Sequence, residues 1–171
     1  MSEIKEITIE DVITTTKKNN RKSDSKLIRK VYNYAKAHHE GQLRKSGEPY
    51  IIHPVQVAYI LSTLGLDDST ICAALLHDVV EDTKISFDDL KEYGFPNQII
   101  EAVKALTKQK NESYDVYIDR VIRNPIAKKV KLADMKHNSD ITRIKNPSQK
   151  DYDRCQKYLD KIQYLINKPL S

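Results

Sequence analysis

The chain has 171 residues, 39% hydrophobic and 31% charged, which is enough to bury one sizeable core and too apolar for a disordered segment. No apolar run approaches the roughly 20 residues needed to cross a bilayer, and the opening "MSEIKEITIEDV" has no signal-peptide core, so a cytoplasmic protein without membrane contact is expected. Two cysteines, Cys72 and Cys155, exclude a disulfide framework or zinc knuckle; four glycines disfavour a glycine-rich phosphate loop; and a net charge of +5 favours anionic partners without choosing among them.

In chain order, the periodicity is helical almost throughout. Residues 1–23 are only loosely helical in pattern and rich in Lys and Asn, so they are set apart as a segment prone to fray, with residues 24–171 as the folded domain. "SKLIRKVYNYAKAHHEGQ" places Leu27, Val31, Tyr34, Ala35 and His38 on one stripe behind Asp24 as N-cap. The polar loop "LRKSGEPYIIH" follows, broken by Gly47 and Pro49. "HPVQVAYILSTLGL" carries Pro54 in a first turn and stops at Gly65. "DDSTICAALLHDVVED" reads as one nearly all-apolar, buried helix. "SFDDLKEYG" is a short helix with Ser86 and Asp89 as a capping pair, and "PNQIIEAVKALTK" is another. "YDVYIDRVIRN" precedes "PIAKKVKLADMKHNSDITRI", where Ile126, Val130, Ala133 and His137 recur at helical spacing. After a break at Asn146, "KDYDRCQKYLDKIQYLIN" closes the chain with Tyr158, Ile162 and Leu165 on one face. There is no alternating strand pattern and no internal repeat. The fold class is therefore all-α, with roughly eight or nine helices, most of them short.

One stretch asks for more than packing. On a continuous helix His77 lies beneath Glu81, and Asp78 beneath Asp82. Carboxylates are seldom buried without a partner, and a divalent metal would give His77 and Asp78 one. His53, which opens the preceding helix, and Asp134 in "VKLADMKHN" are further candidates, with His137 as an alternative ligand three positions after Asp134. Two His and two Asp form a mixed N/O set suited to Mn²⁺, Fe²⁺, Co²⁺ or Zn²⁺. A lone HD dipeptide is more often a satisfied surface pair; the four candidates together and the acidic pair turn the balance. The "RKS" loop is a credible base-and-phosphate clamp, since Arg stacks on aromatic rings as well as pairing with phosphate. Lys104, Lys108, Lys110, Lys128, Lys129 and Lys131 read as solvated faces, and Tyr114, Tyr117, Tyr152, Tyr158 and Tyr164 as packing material.

The pieces "RKSGEPYIIHPVQVA", "AALLHDVVEDT" and "VKLADMKHN", in this order, resemble the HD superfamily of metal-dependent phosphohydrolases. More narrowly, they are similar to the hydrolase domain of RelA/SpoT-type alarmone enzymes, over roughly residues 24 to 165. The chain ends at Ser171 without room for a nucleotide-synthesising domain, so it looks like the stand-alone small alarmone hydrolases. The resemblance implies an HD-domain helical bundle with His53, His77, Asp78 and Asp134 as metal ligands and Mn²⁺ as the metal. It implies that Glu81 and Asp82 handle the attacking water and that Arg44 stacks on the base. Lys45 would meet phosphate, with Ser46 and Tyr50 in the same nucleotide-facing loop and Asn138 beside the sugar and phosphates. Arg154 and Tyr158 in "RCQKY" would face the 5′ phosphates. The chain departs from the bifunctional enzymes after "KLAD", reading "MKHN" where those tend to read "RLHN", so base contacts from residues 139–143 are not carried over.

The expectation is a metal-dependent hydrolase that removes pyrophosphate from the 3′ position of guanosine tetra- or pentaphosphate, giving GDP or GTP. One rival is a metal-dependent phosphatase of another nucleotide, such as an adenine alarmone or the 2′-phosphate of NADPH. Another is a non-catalytic nucleotide sensor or an RNA-binding module. The water-handling pair argues against the sensor. The scattered basic residues and the absence of a recognised RNA motif argue against nucleic acid as a partner.

Overall fold

The computed structural model describes residues 5–169. Helix α1 (Ile9–Asn19) opens the described chain. The pattern read as loosely helical is a defined helix here, because Thr8 and Asp11 form a reciprocal capping box. Ile9, Val12, Ile13 and Thr16 also share one buried face. Residues 1–4 of the segment expected to fray lie outside the described residues.

Helix α2 (Ser25–His38) starts at Asp24, whose carboxylate accepts from the Leu27 backbone N–H. Helix α3 (Ile52–Thr63) ends at Gly65, which has φ +74°, the left-handed conformation that closes helices. Helix α4 (Asp68–Leu76) follows, then the single turn α5 (Val79–Asp82) and α6 (Phe87–Glu92), capped by Ser86 and Asp89 as expected. Helices α7 (Asn97–Leu106), α8 (Tyr114–Arg123) and α9 (Pro125–Asn138) come next, the last with Asn124 as N-cap and Pro125 in its first position. A 3-10 turn (Ile141–Arg143) leads to α10 (Gln149–Asn167), opened by a Ser148–Asp151 capping box. Among the described residues no strand forms; Leu43 and Pro49 make an isolated bridge.

The all-α reading holds, with one local difference. "DDSTICAALLHDVVED" is not one helix. It breaks at His77–Asp78, leaving α5 as a separate turn. The His77 imidazole Nδ1 sits 2.5 Å from the Ala74 carbonyl, so a side chain satisfies that oxygen at the end of α4. The i,i+4 face drawn across the dipeptide is therefore interrupted. His77 and Asp78 instead turn toward one another, Nε2 to Oδ2 at 2.9 Å.

Helix α4 is the centre of the core, buried from Thr70 to Leu76 and packed against α2, α3, α7 and α9. Helix α3 packs on α1, α4 and α9, and α9 also meets α7, α8 and α10. Burial of side chains such as Ile71, Leu75 and Leu76 is worth about 1.5–3 kcal/mol each. This packing brings the start of α3, the end of α4 and the last turn of α9 to one place. Both cysteines are buried and free. No described helix is long and apolar enough to cross a membrane.

Candidate active site

His53 in the first turn of α3, His77 beyond α4, Asp78 at the break and Asp134 in α9 converge. His53 Nε2 lies 2.7 Å from Asp134 Oδ1 and 3.9 Å from Asp78 Oδ2. His77 Nε2 lies 2.9 Å from Asp78 Oδ2 and 3.5 Å from Asp134 Oδ1. Donor atoms of His53, His77 and Asp78 all fall within 4.8 Å of one another, a grouping that could hold a metal ion.

The donor set fits a divalent cation. His77 is buried, and its Nε2, although 2.9 Å from a carboxylate oxygen, makes no well-formed hydrogen bond. A buried imidazole nitrogen aimed between two carboxylate oxygens is an arrangement a divalent cation would satisfy. The electrostatics agree. Burial works against a charged His77, yet the Asp78 and Asp134 carboxylates push its pKa well up. Asp134 is held well below the usual carboxylate range, against its burial, by Lys131 and the two imidazoles.

His137 stands behind the cluster, not in it. Its Nδ1 is 2.7 Å from Nδ1 of His53 and the rings stack at 4.9 Å between centroids. Burial, followed by His53, Arg44 and Arg143, pushes its pKa down to about 3, so it is a neutral partner to the His53 ring.

The cluster is at the floor of a cavity of about 780 Å³. Its wall brings together Arg44, Lys45, Ser46 and Tyr50 from the α2–α3 loop, Glu81 and Asp82 from α5, Asn138 from α9, and Arg154 and Tyr158 from α10. Of the candidate residues, His77 and the alternative ligand His137 are not on the wall; His77 lies just beneath, against Asp78. The loop is shaped by Gly47 at φ +88° and by the Arg44 N–H bond to the Glu48 carbonyl at 2.9 Å. Arg44 donates to Asn138 Oδ1 at 2.8 Å, and Asn138 donates to Asp134 Oδ1 at 3.2 Å. The α2–α3 loop and the end of α9 are thus wired together. Tyr50 donates from its hydroxyl to Asp78 Oδ2 at 2.6 Å, so it supports the cluster as well as lining the cavity. Arg154 is held by Asp151 at 2.9 Å.

Glu81 and Asp82 line the same wall with their outer atoms in solvent. Partial burial on the cavity side, followed by the Asp78 charge, raises the pKa of both from the ordinary carboxylate value. A carboxylate so tuned is a stronger base than one in water.

The structure corrects the reading of several residues taken as solvated or as packing. Lys108 and Lys131 line the cavity, and Lys131 donates to Asp134 Oδ2 at 3.1 Å. The clue lay in the spacing, since Lys131 is one helical turn before Asp134. Lys161, singled out by nothing in the sequence, and Arg143, within the 139–143 segment whose base contacts were not carried over, also line it, and Lys161 Nζ stands 5.4 Å over Tyr114 and 5.3 Å over Tyr158. Tyr114 and Tyr117 likewise face the cavity, while Tyr152 is 51% exposed.

A family model described as an HD domain, HD_4, matches residues 31–164. The guanosine-3′,5′-bis(diphosphate) 3′-pyrophosphohydrolase of Aquifex aeolicus is 40% identical over 119 residues, which is 65% of this chain and 17% of that protein. The bifunctional (p)ppGpp synthase/hydrolase SpoT of Escherichia coli is 40% identical over 123 residues, 66% of this chain and 18% of its own length. The chain thus spans less than a fifth of these two relatives. A solved structure, described as a metazoan ortholog of SpoT that hydrolyzes ppGpp, superposes with a TM-score of 0.65 at 27% identity, covering 85% of this chain and 88% of that one.

Proposed function

The chain belongs to the HD-domain family, and from this premise we propose that it hydrolyses guanosine tetra- or pentaphosphate, releasing pyrophosphate from the 3′ position and leaving GDP or GTP. The observation that carries the reading is the buried His53–His77–Asp78–Asp134 cluster, its donor atoms drawn together beneath a cavity walled by cations. A cavity of about 780 Å³ is in the range that encloses a nucleotide-sized ligand. Support also comes from the relatives named for this reaction, one of which is covered by this chain over most of its length.

In this reading His53, His77, Asp78 and Asp134 hold one divalent ion. We take it to be Mn²⁺, which suits mixed imidazole and carboxylate donors. A cation held there supplies Lewis-acid activation of water and of a phosphoryl oxygen. His53 must offer it the Nε2 lone pair, so the remaining ring hydrogen sits on Nδ1 and is accepted by His137. Glu81 and Asp82 take the proton of the water that attacks the phosphorus next to the ribose 3′ oxygen. The P–O3′ bond breaks and the ribose oxygen takes up a proton. Lys45 and Asn138 steady the phosphates, Arg44 covers the base with Ser46 and Tyr50 beside it, and Arg154 and Tyr158 meet the 5′ phosphates. We assign the reaction to residues 24–171 and to the cytoplasm, where its nucleotide substrates are.

The test is product analysis with purified protein, Mn²⁺ and a panel of both guanosine alarmones, their adenine counterpart and NADPH. Pyrophosphate with GDP or GTP is expected. Inorganic phosphate from NADPH with no turnover of the guanosine compounds would overturn the substrate assignment. Tight binding without turnover would make the protein a sensor.

A further inference from the structure

Helix α5 is four residues long, and a turn that short has no stability of its own. Its far end is held by one side chain of the α2–α3 loop, Gln42, which is braced in turn by His39. Gln42 donates from Nε2 to the Asp82 carbonyl at 3.1 Å. That orientation leaves Oε1 as an acceptor, 2.7 Å from Nδ1 of His39, so Nδ1 carries the hydrogen. In the neutral ring Nε2 then has only a lone pair, and this atom is buried without a partner, His39 being 2% exposed. A lone buried acceptor costs free energy and calls for a reason. The ring also packs on Tyr50, centroids 4.9 Å apart, whose hydroxyl reaches Asp78. One loop therefore fastens both ends of α5.

We propose that His39 and Gln42 are positioning residues, in which His39 sets the orientation of the Gln42 amide and Gln42 fixes the end of α5, so that Glu81 and Asp82 present their carboxylates to the cavity. The inference rests on the assignment of that acidic pair to the attacking water. Because the same loop carries Arg44 and Lys45, the groups that hold the nucleotide and those that handle the water share one frame.

Gln42→Glu separates the two links. A carboxylate can still accept from His39 but cannot donate to the Asp82 carbonyl. We expect kcat to fall roughly tenfold or more, as for one lost hydrogen bond to a critical group, with KM and metal content close to wild type. His39→Phe keeps the ring on Tyr50 and removes the donor, and should act alike. His39→Asn restores a donor near the Nδ1 position and should recover most of the rate. Amide hydrogen exchange gives a readout independent of turnover: residues 79–85 should exchange faster in Gln42→Glu, and the core of α4 should not. If wild type turns over no alarmone, the functional reading fails while exchange still decides the positioning role. Unchanged exchange at 79–85 in Gln42→Glu would overturn the proposal. So would a loss that falls on KM alone, or an Asn variant as slow as the Phe variant.

Discussion

His77 and Asp78 differ from Glu81 and Asp82 in what surrounds them. The first two face inward at a helix break, and the second two line the cavity wall on a short turn. His53→Ala, His77→Ala, Asp78→Ala and Asp134→Ala are each expected to lose metal, measured as bound metal per chain, and chelation should abolish turnover. His137→Ala should keep the full metal content but bind it about 10–100-fold more weakly, as is typical when the group orienting a ligand is removed. Glu81→Gln and Asp82→Asn should retain metal and nucleotide affinity while kcat drops roughly a hundredfold or more. On the proposal that the pair acts on one water, the double variant should be less than additive. Metal affinity should also depend on pH in a defined direction. The raised pKa of His77 means the metal-free protein keeps its proton to higher pH than an ordinary imidazole. Metal must displace that proton, so affinity falls as pH falls through the raised pKa. Titration calorimetry in buffers of different ionisation enthalpy should report proton release on binding; no release would show that His77 is already neutral.

At the scale of elements, the connection between α7 and α8 is held by a bidentate contact. Arg120 pairs with both oxygens of Glu112 and donates to the Thr107 carbonyl at 2.9 Å. That connection carries Lys108 into the cavity wall. The Arg120 hydrogen bond holds the Glu112 carboxyl below the usual range. A depressed pKa contributes stability that is present above the unfolded-state value and is lost as pH falls through the folded-state value. Glu112→Gln should therefore lower stability at neutral pH, by up to about 1 kcal/mol for a pair near the surface. The difference from wild type should vanish in acid. Melting curves from pH 7 to pH 3 check this, and a constant difference would assign the effect to packing. The capping boxes at α1, α6 and α10 were open to sequence reading as Ser/Thr-x-x-Asp patterns, and that at α6 was read. The break at His77–Asp78 was not. No glycine or proline marks it, and it exists because the His77 side chain takes over a backbone carbonyl and the cluster draws Asp78 inward.

For the whole molecule, two expectations follow from how the helices are assembled. Helix α1 packs on α3, the helix that carries His53, and buries Ile9, Val12 and Ile13. Each such side chain is worth about 1.5–3 kcal/mol. Removing residues 1–23 should cost several kcal/mol in chemical denaturation and loosen the metal site. An unchanged midpoint would restore the view of this segment as a dispensable tail. The cavity wall gathers Arg44, Lys45, Lys108, Lys131, Arg154 and Lys161 where the proposed anionic substrate would bind. Raising ionic strength from 0.05 to about 0.5 M shortens the screening length severalfold. KM should rise with little change in kcat, and a salt-independent KM would place the phosphates away from these cations.

The sequence by itself determined the helical class and most helix limits, because these follow from periodicity and caps, which are local in the chain; its residue chemistry offered five candidates for the cluster, from which only the family resemblance picked four. Tertiary structure decided which cations face the cavity, that His137 stands behind His53, and that α4 and α5 part at the dipeptide. Lys131 and Lys161 look like any solvated lysine in the sequence. Their meaning comes from Asp134 on the one hand and from Tyr114 and Tyr158 on the other. A side chain's spacing is set by its own helix, but its neighbours are set by how the other helices pack, and the electrostatics of the site depend on the neighbours.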